Sequence, residues 1–532
     1  MPDMSFVASM TYQANIPASA EKTAERAAEI TPFTVEHMPP ETLGYIFQMS
    51  VDPVLPRDDD PRFAGIQKAP YNFLLVCRRW YQVARCTPEL WSSWGNNLGD
   101  WKRCYLYNGA SPLDLILDWF GHQTRAFDES LKDALKSRAT RDLIRKVHLR
   151  GPDLRLLTSI ISSLTPGDEG IRHSSIESIV LHSVDISDFL TRHRFPKLQG
   201  LDISRCSDLV LNHLKSHTMA LIDLSLNNMT PHAESVPTTS QILSLLTSNP
   251  HIQTITLFFL LVSGDIESSH RFRVPLRHLK SLSLSMDFRC ALSILQRLEL
   301  PDRMGKLQLS FDGCTLEGIR RDIGPYIRDH FQCHERHRDR LCVFVEIGIR
   351  RLLIQACVVG FGDEIHNRSP PHTTFAIKLP DNTSGEERDK LSTDIFEFLP
   401  QELIVFLETN LSAGAMKKLL INMPNIEVFN LSDPVVSSGF LLPDPGGPNA
   451  HKKLLPSLRL LRLEYRVGVG SNDWSPLIRY LTHQTSGNQP VSLIVSGDEV
   501  HICWEVQMQI GSLIEGLAYF GAEGKQCRYC SG

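Results

Sequence analysis

The chain lacks any run of apolar residues long enough to cross a membrane, although 42% of its 532 residues are hydrophobic. A spanning helix needs roughly 20 consecutive apolar residues, so the sequence predicts no membrane span. The first 30 residues also lack the basic start and the apolar stretch of a signal peptide. We therefore expect no membrane partner, and we expect the apolar residues to form a folded core.

The chain also lacks a strong excess of charge of either sign. Its 55 basic and 60 acidic residues give a net charge of −5, which provides no electrostatic attraction for nucleic acid or for an anionic membrane. Cysteine is sparse as well, because the 12 cysteines are scattered and do not form the dense pattern of a disulfide framework. The sequence therefore predicts a protein of a reducing compartment, in the cytoplasm or the nucleus.

Catalytic and cofactor motifs are absent. The sequence has no Gly-x-Ser-x-Gly motif, no P-loop and no protein-kinase signature. Segment 466–473 contains Gly468 and Gly470 but has Asp473 where a dinucleotide fingerprint needs its third glycine, so we interpret it as a loop. We expect a non-enzymatic protein without a cofactor, although a site assembled from distant residues would leave no local motif.

Two segments contain the residue types of a metal site. Segment 330–337 (HFQCHERH) holds three histidines and one cysteine, but a zinc site usually takes four ligands in two well-spaced pairs. Segment 527–530 (CRYC) is a single cysteine pair without a second one. We interpret the first segment as a solvated helix and predict no metal at either place.

A six-residue pattern, apolar-x-x-apolar-x-apolar, recurs along the chain. Seven copies between residues 144 and 309 begin 22 to 32 residues apart, and two later copies begin 32 residues apart. Proline stands two residues before several copies, where it ends a helix and favours an extended chain. The copies are IRKVHL (144–149), IESIVL (176–181), LQGLDI (198–203), LIDLSL (221–226), IQTITL (252–257), LKSLSL (279–284), MGKLQL (304–309), IEVFNL (426–431) and LRLLRL (458–463).

The copies predict strands that alternate with helices. Segments 238–249 and 411–423, which lie between copies, have the apolar periodicity of helices. We interpret the region as an irregular leucine-rich-repeat solenoid, in which each unit buries its apolar face on its neighbours. The last two apolar positions of each copy would point inward, and the first would be buried under the turn. A doubly wound α/β sheet is the alternative, and it predicts longer continuous apolar strands.

The part of the chain between residues 310 and 400 follows the pattern least well. Its apolar residues alternate in places as in a strand, but polar stretches separate them. Another strand is indicated just before the first copy, at SPLDLIL. Strands are predicted at 111–117, 342–348 and 373–379, loops at 360–372 and 380–390, and an ordinary repeat helix at 398–410.

Residues 34–94 form a predicted helical block ahead of the repeats. The first helix, 38–49, opens on prolines that a first helical turn tolerates, and it places Leu43, Ile46 and Phe47 on one face.

The second and third predicted helices of this block carry further apolar residues. The second, about 69–84, has two apolar stripes, and the third begins at the cap Thr87 with Leu90, Trp91 and Trp94 on its apolar face. Three short helices enclose only a small core. The surplus apolar positions therefore need either the repeats or a second protein to cover them.

The residues of this block resemble the F-box family, and most closely its fungal branch. The resemblance rests on the combination of PPE (39–41), IF (46–47), VCRRW (76–80) and TPELW (87–91) in this order. Met38 stands where the family usually has leucine, a substitution that conserves volume, and the loop after the first helix is longer and more acidic than usual. The resemblance covers about 34–120 closely and the remainder by architecture alone.

The resemblance implies that the block docks on the Skp-family adaptor of a cullin–RING ubiquitin ligase, while the downstream domain holds a protein substrate. One apolar stripe would then close the small bundle, and the other would meet the adaptor. The residues that would form or support the adaptor-facing surface are Pro39, Pro40, Leu43, Ile46, Phe47, Leu74, Val76, Cys77, Trp80, Leu90 and Trp91.

The predicted fold class is α/β, with a small N-terminal three-helix F-box followed by an irregular leucine-rich-repeat solenoid. The predicted function is that of a substrate-recognition subunit of a Skp–cullin–F-box ubiquitin ligase. The alternative is a repeat scaffold with no ubiquitin role, in which the helical block is an N-terminal cap. The predicted organisation is a flexible segment (1–33), the F-box (34–94), the repeat-like substrate domain (95–520) and a C-terminal tail (521–532).

Overall fold

A computed structural model gives the fold of the chain, which divides into two compact units, Met1–Pro112 and Leu113–Gly532. The predicted domain boundary after residue 94 lies within the first unit. Predictions for 1–33, 360–372, 466–473 and 521–532 lie outside the described residues. The structure describes residues 38–51, 69–95, 106–118, 133–135, 137–150, 175–182, 195–204, 220–227, 238–260, 273–301, 304–312, 316–337, 339–347, 351–359, 373–378, 383–432, 454–464, 474–485, 491–496 and 504–520.

Short helices make up most of the described part of the first unit. Pro40 opens the first helix and Pro88 opens the last one, at positions where the backbone N–H has no helical partner to lose. The elements are α1 (Pro40–Val51), α2 (Ala69–Val76), α3 (Arg78–Arg85), a 3-10 helix (Pro88–Trp91) and the short strand β1 (Ser93–Gly95).

The prediction of one continuous helix over 69–84 is wrong. Cys77 has an extended backbone (φ −160°, ψ 169°) and separates α2 from α3. Its sulfur accepts a hydrogen bond from the backbone N–H of Trp80 at 3.4 Å, so Cys77 caps the N-terminus of α3. Because the chain breaks there, the apolar residues on its two sides do not share one helical stripe.

The last helix of the first unit differs in two details from the prediction. Thr87 occupies the N-cap position as predicted, but its hydroxyl donates to the carbonyl oxygen of Val83 at 2.8 Å instead of capping. Trp94 lies in β1, so the prediction that it belongs to the helix is wrong.

The second unit alternates strands and helices around a large, mostly parallel sheet. Its strands are β2 (Leu113–Asp118), β3 (Ile144–Arg150), β4 (Ser178–His182), β5 (Gly200–Ser204), β6 (Asp223–Asn227), β7 (Thr254–Leu260), β8 (Val274–Pro275), β9 (Ser281–Asp287), β10 (Leu298–Glu299), β11 (Lys306–Asp312), β12 (Arg340–Ile347), β13 (Arg351–Val359), β14 (Thr373–Lys378), β15 (Ile404–Thr409), β16 (Val428–Ser432), β17 (Leu460–Glu464), β18 (Ser492–Ser496) and β19 (Gly516–Phe520).

The helices of the second unit connect these strands, and three of them begin at a serine or threonine cap. They are α4 (Arg138–Leu143), α5 (Thr239–Thr247), α6 (Phe288–Leu295), α7 (Leu316–Gly318), a π-helix (Ile319–Ile323), α8 (Gly324–His337), α9 (Gly385–Phe396), a 3-10 helix (Gln401–Leu403), α10 (Ala413–Leu420), α11 (Ser475–Thr485) and α12 (Trp504–Gly511). Within the described residues, no helix combines the length and the apolar character that a bilayer crossing requires.

Strand order in the sheet follows the chain over two long stretches. Strands β2 to β7, β9 and β11 are successive parallel neighbours, and so are β15 to β19. Between these stretches β11 pairs with β14 and β12 pairs with β15, while β13 lies antiparallel between β14 and β12. β8 and β10 form a separate parallel pair.

The recurring pattern of the sequence coincides with strands, which confirms the strand prediction for all nine copies. The last apolar residues of successive copies are direct neighbours across the sheet: Leu181 pairs with Ile203, and Leu226 pairs with Leu257. These side chains are at most 1% exposed. The first apolar residues are buried too, as predicted; they are Ile144, Ile176, Leu198, Leu221, Ile252, Leu279, Met304, Ile426 and Leu458.

The predictions between residues 310 and 430 were mixed. The strands predicted at 342–348 and 373–379 are present as β12 and β14. The repeat helix predicted over 398–410 is wrong, because Ile404 begins β15, which gains ladder partners in β12 and β16. The loop predicted over 380–390 is also wrong in part, since α9 begins at Gly385 behind a Ser384 cap.

Candidate docking surface

An aromatic cluster holds the helices of the first unit together. The ring of Phe47 in α1 stacks on Phe73 in α2 with a centroid distance of 4.2 Å and an interplanar angle of 10°. Trp80 in α3 completes the cluster, at 4.8 Å from Phe47 and 5.9 Å from Phe73. Phe47 is fully buried, so this residue, which the sequence placed at the docking surface, supports the helices from inside.

The other flank of α1 packs closely on the end of α3. Leu43 is 1% exposed, and a Cβ atom added at Gly44 would lie 3.0 Å from Thr87 Oγ1. That hydroxyl is held in place by its hydrogen bond to Val83. Glycine at position 44 therefore allows α1 to lie close to Thr87, and a larger side chain would disturb this contact.

Leu90 and Trp91 close the bottom of the helical core. Leu90 is 4% exposed and Trp91 is fully buried. The indole Nε1–H of Trp91 donates to the carbonyl oxygen of Ala84 at 2.8 Å, which satisfies one of the last carbonyl groups of α3. The rings of Tyr107 and Trp91 meet edge to face, with 5.0 Å between their centroids.

Polar contacts fix the same helices at their ends. The guanidinium of Arg79 donates to the carbonyl oxygen of Met38, just ahead of α1. The amide of Gln48 donates to a carboxylate oxygen of Glu89 at 3.3 Å. The guanidinium of Arg85 lies over the ring of Tyr107 at 5.1 Å. The first two contacts tie α1 and the residue before it to α3 and to the 3-10 helix.

Large apolar side chains remain exposed on the outer sides of α1 and α2. Tyr45 is 61% exposed, Ile46 40% and Met49 62%. In α2, Leu75 is 83% exposed and Val76 57%. We call these five residues the outer apolar face. Because a buried Leu, Ile, Val, Phe or Met side chain stabilises by roughly 1.5–3 kcal/mol, leaving several of them in water forgoes a large gain.

The structure divides the residues predicted from the sequence into three groups. Leu43, Phe47, Leu90 and Trp91 are buried; Leu74 and Trp80 are partly buried; and Pro39, Pro40, Ile46, Val76 and Cys77 are exposed.

Tyr45, Met49 and Leu75 were missed by sequence reasoning. The first two lie four residues apart beside Ile46 on one side of α1. This spacing was readable from the sequence, but it was masked by the stronger pattern of Leu43 and Phe47. Leu75 could be recognised as exposed only once α2 was known to end at Val76.

The described residues of the first unit contribute mainly packing contacts. Among the described residues of the chain, no group of three or more His, Cys, Asp and Glu side chains is arranged to hold a metal ion. Segment 330–337 belongs to α8, which confirms the predicted helix, and the side chains of 333–337 lie outside the described residues. The exposed side chains of α1 and α2 described above are therefore the candidate site of the first unit.

No protein-family model matches this chain, and no curated protein matches it either.

Proposed function

We propose that this chain is a substrate-recognition subunit of a Skp–cullin–F-box ubiquitin ligase, which docks the adaptor through its helical first unit and a protein substrate through its sheet unit. The observation that carries the proposal is the outer apolar face. Within the described residues, six of the seven exposed large hydrophobic side chains belong to the first unit. A helical surface of this kind fits a partner that supplies apolar helices of its own.

The separation of inner and outer residues supports the docking role. Phe47 is buried against the rings of Phe73 and Trp80, which are themselves partly buried, whereas Ile46 and Val76 are exposed. Pro39, just ahead of α1, and Pro40, its first residue, are exposed and extend the same apolar character to the start of the helix. The F-box motifs quoted from the sequence give the partner its proposed identity.

The strand order supports an irregular leucine-rich-repeat array in the second unit. A doubly wound sheet reverses its strand order at a switch point, whereas the strands here follow chain order except around the inserted strands β12 to β14. Each copy of the sequence pattern would form one unit that buries its apolar face against the next.

The sheet face opposite the buried leucines suits a protein substrate. Side chains alternate between the two faces of a strand, so Asp202, Ser204, Ser225 and Asn227 share the face opposite Leu226. The amide of Asn227 donates to Ser225 Oγ at 3.0 Å and approaches Asp202 and Ser204 at 3.5 Å. Such a polar strand face offers hydrogen bonds to a bound polypeptide, in the cytoplasm or the nucleus.

Binding to a purified Skp-family adaptor tests the docking role. The full chain should bind it, and the double variant Ile46→Lys, Val76→Lys should bind at least about 100-fold more weakly, because about 2.7 kcal/mol of buried apolar contact is lost. Titration calorimetry measures the affinity. Both positions are exposed, so the melting temperature of the variant should stay close to that of the wild type.

Met508 provides a matched control. It is 56% exposed, almost the same as Val76 at 57%, but it lies in α12 of the second unit. Met508→Lys should leave adaptor binding unchanged. Unchanged binding by the folded double variant, or equal losses in both variants, would count against the assigned surface; no binding by the wild-type chain would remove the ligase role itself.

A further inference from the structure

Two cysteines face each other across two of the inserted strands. Cys342 in β12 and Cys357 in β13 are direct partners across an antiparallel ladder. Cα atoms of such partners lie about 4.5–5.5 Å apart, within the range of about 4.4–6.8 Å that a disulfide bridges. The ladder around them runs in unbroken register from Arg340 to Ile347, which fixes the two side chains on the same face.

The two thiols interact directly. Their interaction lowers the pKa of Cys357 and raises the pKa of Cys342. Burial of Cys357 acts in the opposite direction on its own pKa. The Cys357 sulfur also lies 3.8 Å from the carbonyl oxygen of Cys342. The arrangement makes Cys357 the better nucleophile, since the thiolate is the reactive form of cysteine.

The surroundings of the pair restrict what can reach it. Cys342 is 4% exposed and Cys357 is 6% exposed, and they belong to a buried apolar cluster with Phe406 and Val428. Phe344 packs against this cluster with its ring 5.1 Å from that of Phe406. A site of this kind favours a reagent no larger than a few atoms over a protein or a peptide thiol.

We propose that Cys342 and Cys357 form a redox-modification site, which hydrogen peroxide oxidises to a cross-strand disulfide. The Cys357 thiolate attacks one peroxide oxygen, the O–O bond breaks, and the departing hydroxide takes up a proton, which leaves a sulfenic acid on Cys357. The Cys342 sulfur then attacks the Cys357 sulfur, its proton leaves with the hydroxyl group as water, and the S–S bond forms. Two thiols are oxidised by two electrons, and one peroxide becomes two waters.

The disulfide would lock β12 to β13, which lies antiparallel between β12 and β14. Because the pair is buried, reversal needs a small reductant and not a protein or peptide thiol. This inference does not depend on adaptor docking, because it concerns only the second unit.

The sequence around the pair makes the product easy to detect. Trypsin cleaves after Arg340, Arg350, Arg351 and Arg368, so Cys342 and Cys357 fall in separate peptides, 341–350 and 352–368. The native full-length chain is treated with hydrogen peroxide, its remaining thiols are blocked, and the digest is analysed by mass spectrometry. We expect the two peptides joined with the loss of two hydrogen atoms, and separate again after reduction.

Protein unfolded in guanidinium before oxidation serves as the reference. The linked peptide should be at least about tenfold more abundant from native protein, because the strand register holds the thiols at a high effective concentration. Cys290 in α6, which is 7% exposed, is the matched control for a buried cysteine and should remain alkylatable. Equal linkage in native and unfolded protein, or oxidation of Cys290 as rapid as that of Cys357, would overturn the proposal.

Single substitutions identify the attacking sulfur. Cys342→Ser should accumulate a sulfenic acid on Cys357, because the resolving thiol is gone, and dimedone should trap it when the oxidised protein is unfolded in its presence. Cys357→Ser should give no comparable adduct on Cys342. The reverse distribution of adducts would contradict the assigned order of attack, and the wild-type linkage experiment stands whether or not either variant folds.

Discussion

The helices of the first unit leave several large apolar side chains exposed, whereas the strands of the second unit bury their apolar rows. Met49 and Leu75 are 62% and 83% exposed, whereas Leu226 and Leu284 of the sheet are at most 1% exposed. Each strand in the parallel stretches has a neighbour whose apolar row continues its own. The exposure of the helices is therefore a local property of the first unit and does not reflect an apolar surplus throughout the described chain.

The two regions also differ in how their helices begin. In the second unit, Thr238 and Ser384 cap α5 and α9. The side chain three residues later, Gln241 or Glu387, accepts a hydrogen bond from the backbone N–H of the cap residue. In the first unit, α3 begins at the sulfur of Cys77, which is a weaker acceptor than a hydroxyl oxygen. The helical unit therefore combines exposed apolar surface with a weak helix cap.

Truncation of matched apolar residues should give the largest difference between the regions. Leu284→Ala should lower the free energy of unfolding by about 2–5 kcal/mol, because it empties part of an aligned, buried row. Val76→Ala should change it by less than about 0.5 kcal/mol. Urea unfolding of the full chain, followed by circular dichroism, measures both. Similar losses in the two variants would mean that the outer apolar face is covered within the folded chain.

The sheet was largely predictable because its signal repeats. Each copy places apolar residues at the same three positions, and parallel pairing brings equivalent positions together, as for Leu284 and Leu309. Because the pattern occurs nine times, an irregularity in one copy does not hide it. The inserted strand β13 was missed for the opposite reason, because its RLLIQACVV sequence has no counterpart elsewhere and its partner was not readable locally.

The candidate docking surface was only partly predictable because helix breaks depend on single residues. The spacing of Phe73, Trp80 and Ala84 suggested one stripe, but the extended backbone of Cys77 rotates the two halves apart. Burial of Leu43 and Phe47 followed from their spacing, whereas the exposure of Ile46 did not. Side chains that pack inside and those that meet a partner have the same chemistry, so only the fold separates them.

The cap of α3 gives an intermediate effect that sharpens the contrast between the two regions. Cys77→Ala should destabilise the first unit by about 1 kcal/mol, because the backbone N–H of Trp80 loses its acceptor. Cys77→Ser should retain or exceed wild-type stability, since a hydroxyl oxygen is a preferred cap. Hydrogen exchange at the Trp80 amide reports on the cap directly. Equal exchange at the Trp80 amide in the wild type and the alanine variant would show that the sulfur has no capping role.

Removing the charge of Glu387 should give the smallest change in stability. This charge distinguishes the Ser384–Glu387 capping box from the uncharged Thr238–Gln241 box. Hydrogen bonds from the backbone N–H and the hydroxyl of Ser384 hold the pKa of Glu387 below its ordinary value of 4.5. A pKa lowered by folding contributes stability that is fully present above the unfolded pKa and is lost as the pH falls through the folded pKa.

Glu387→Gln should convert this cap to the uncharged chemistry of Thr238 and Gln241. The melting temperature of the variant should therefore lie slightly below that of the wild type at neutral pH, and the two should converge once the pH drops below the depressed pKa. A gap that persists unchanged in acid would assign the effect to packing of the side chain and not to its charge.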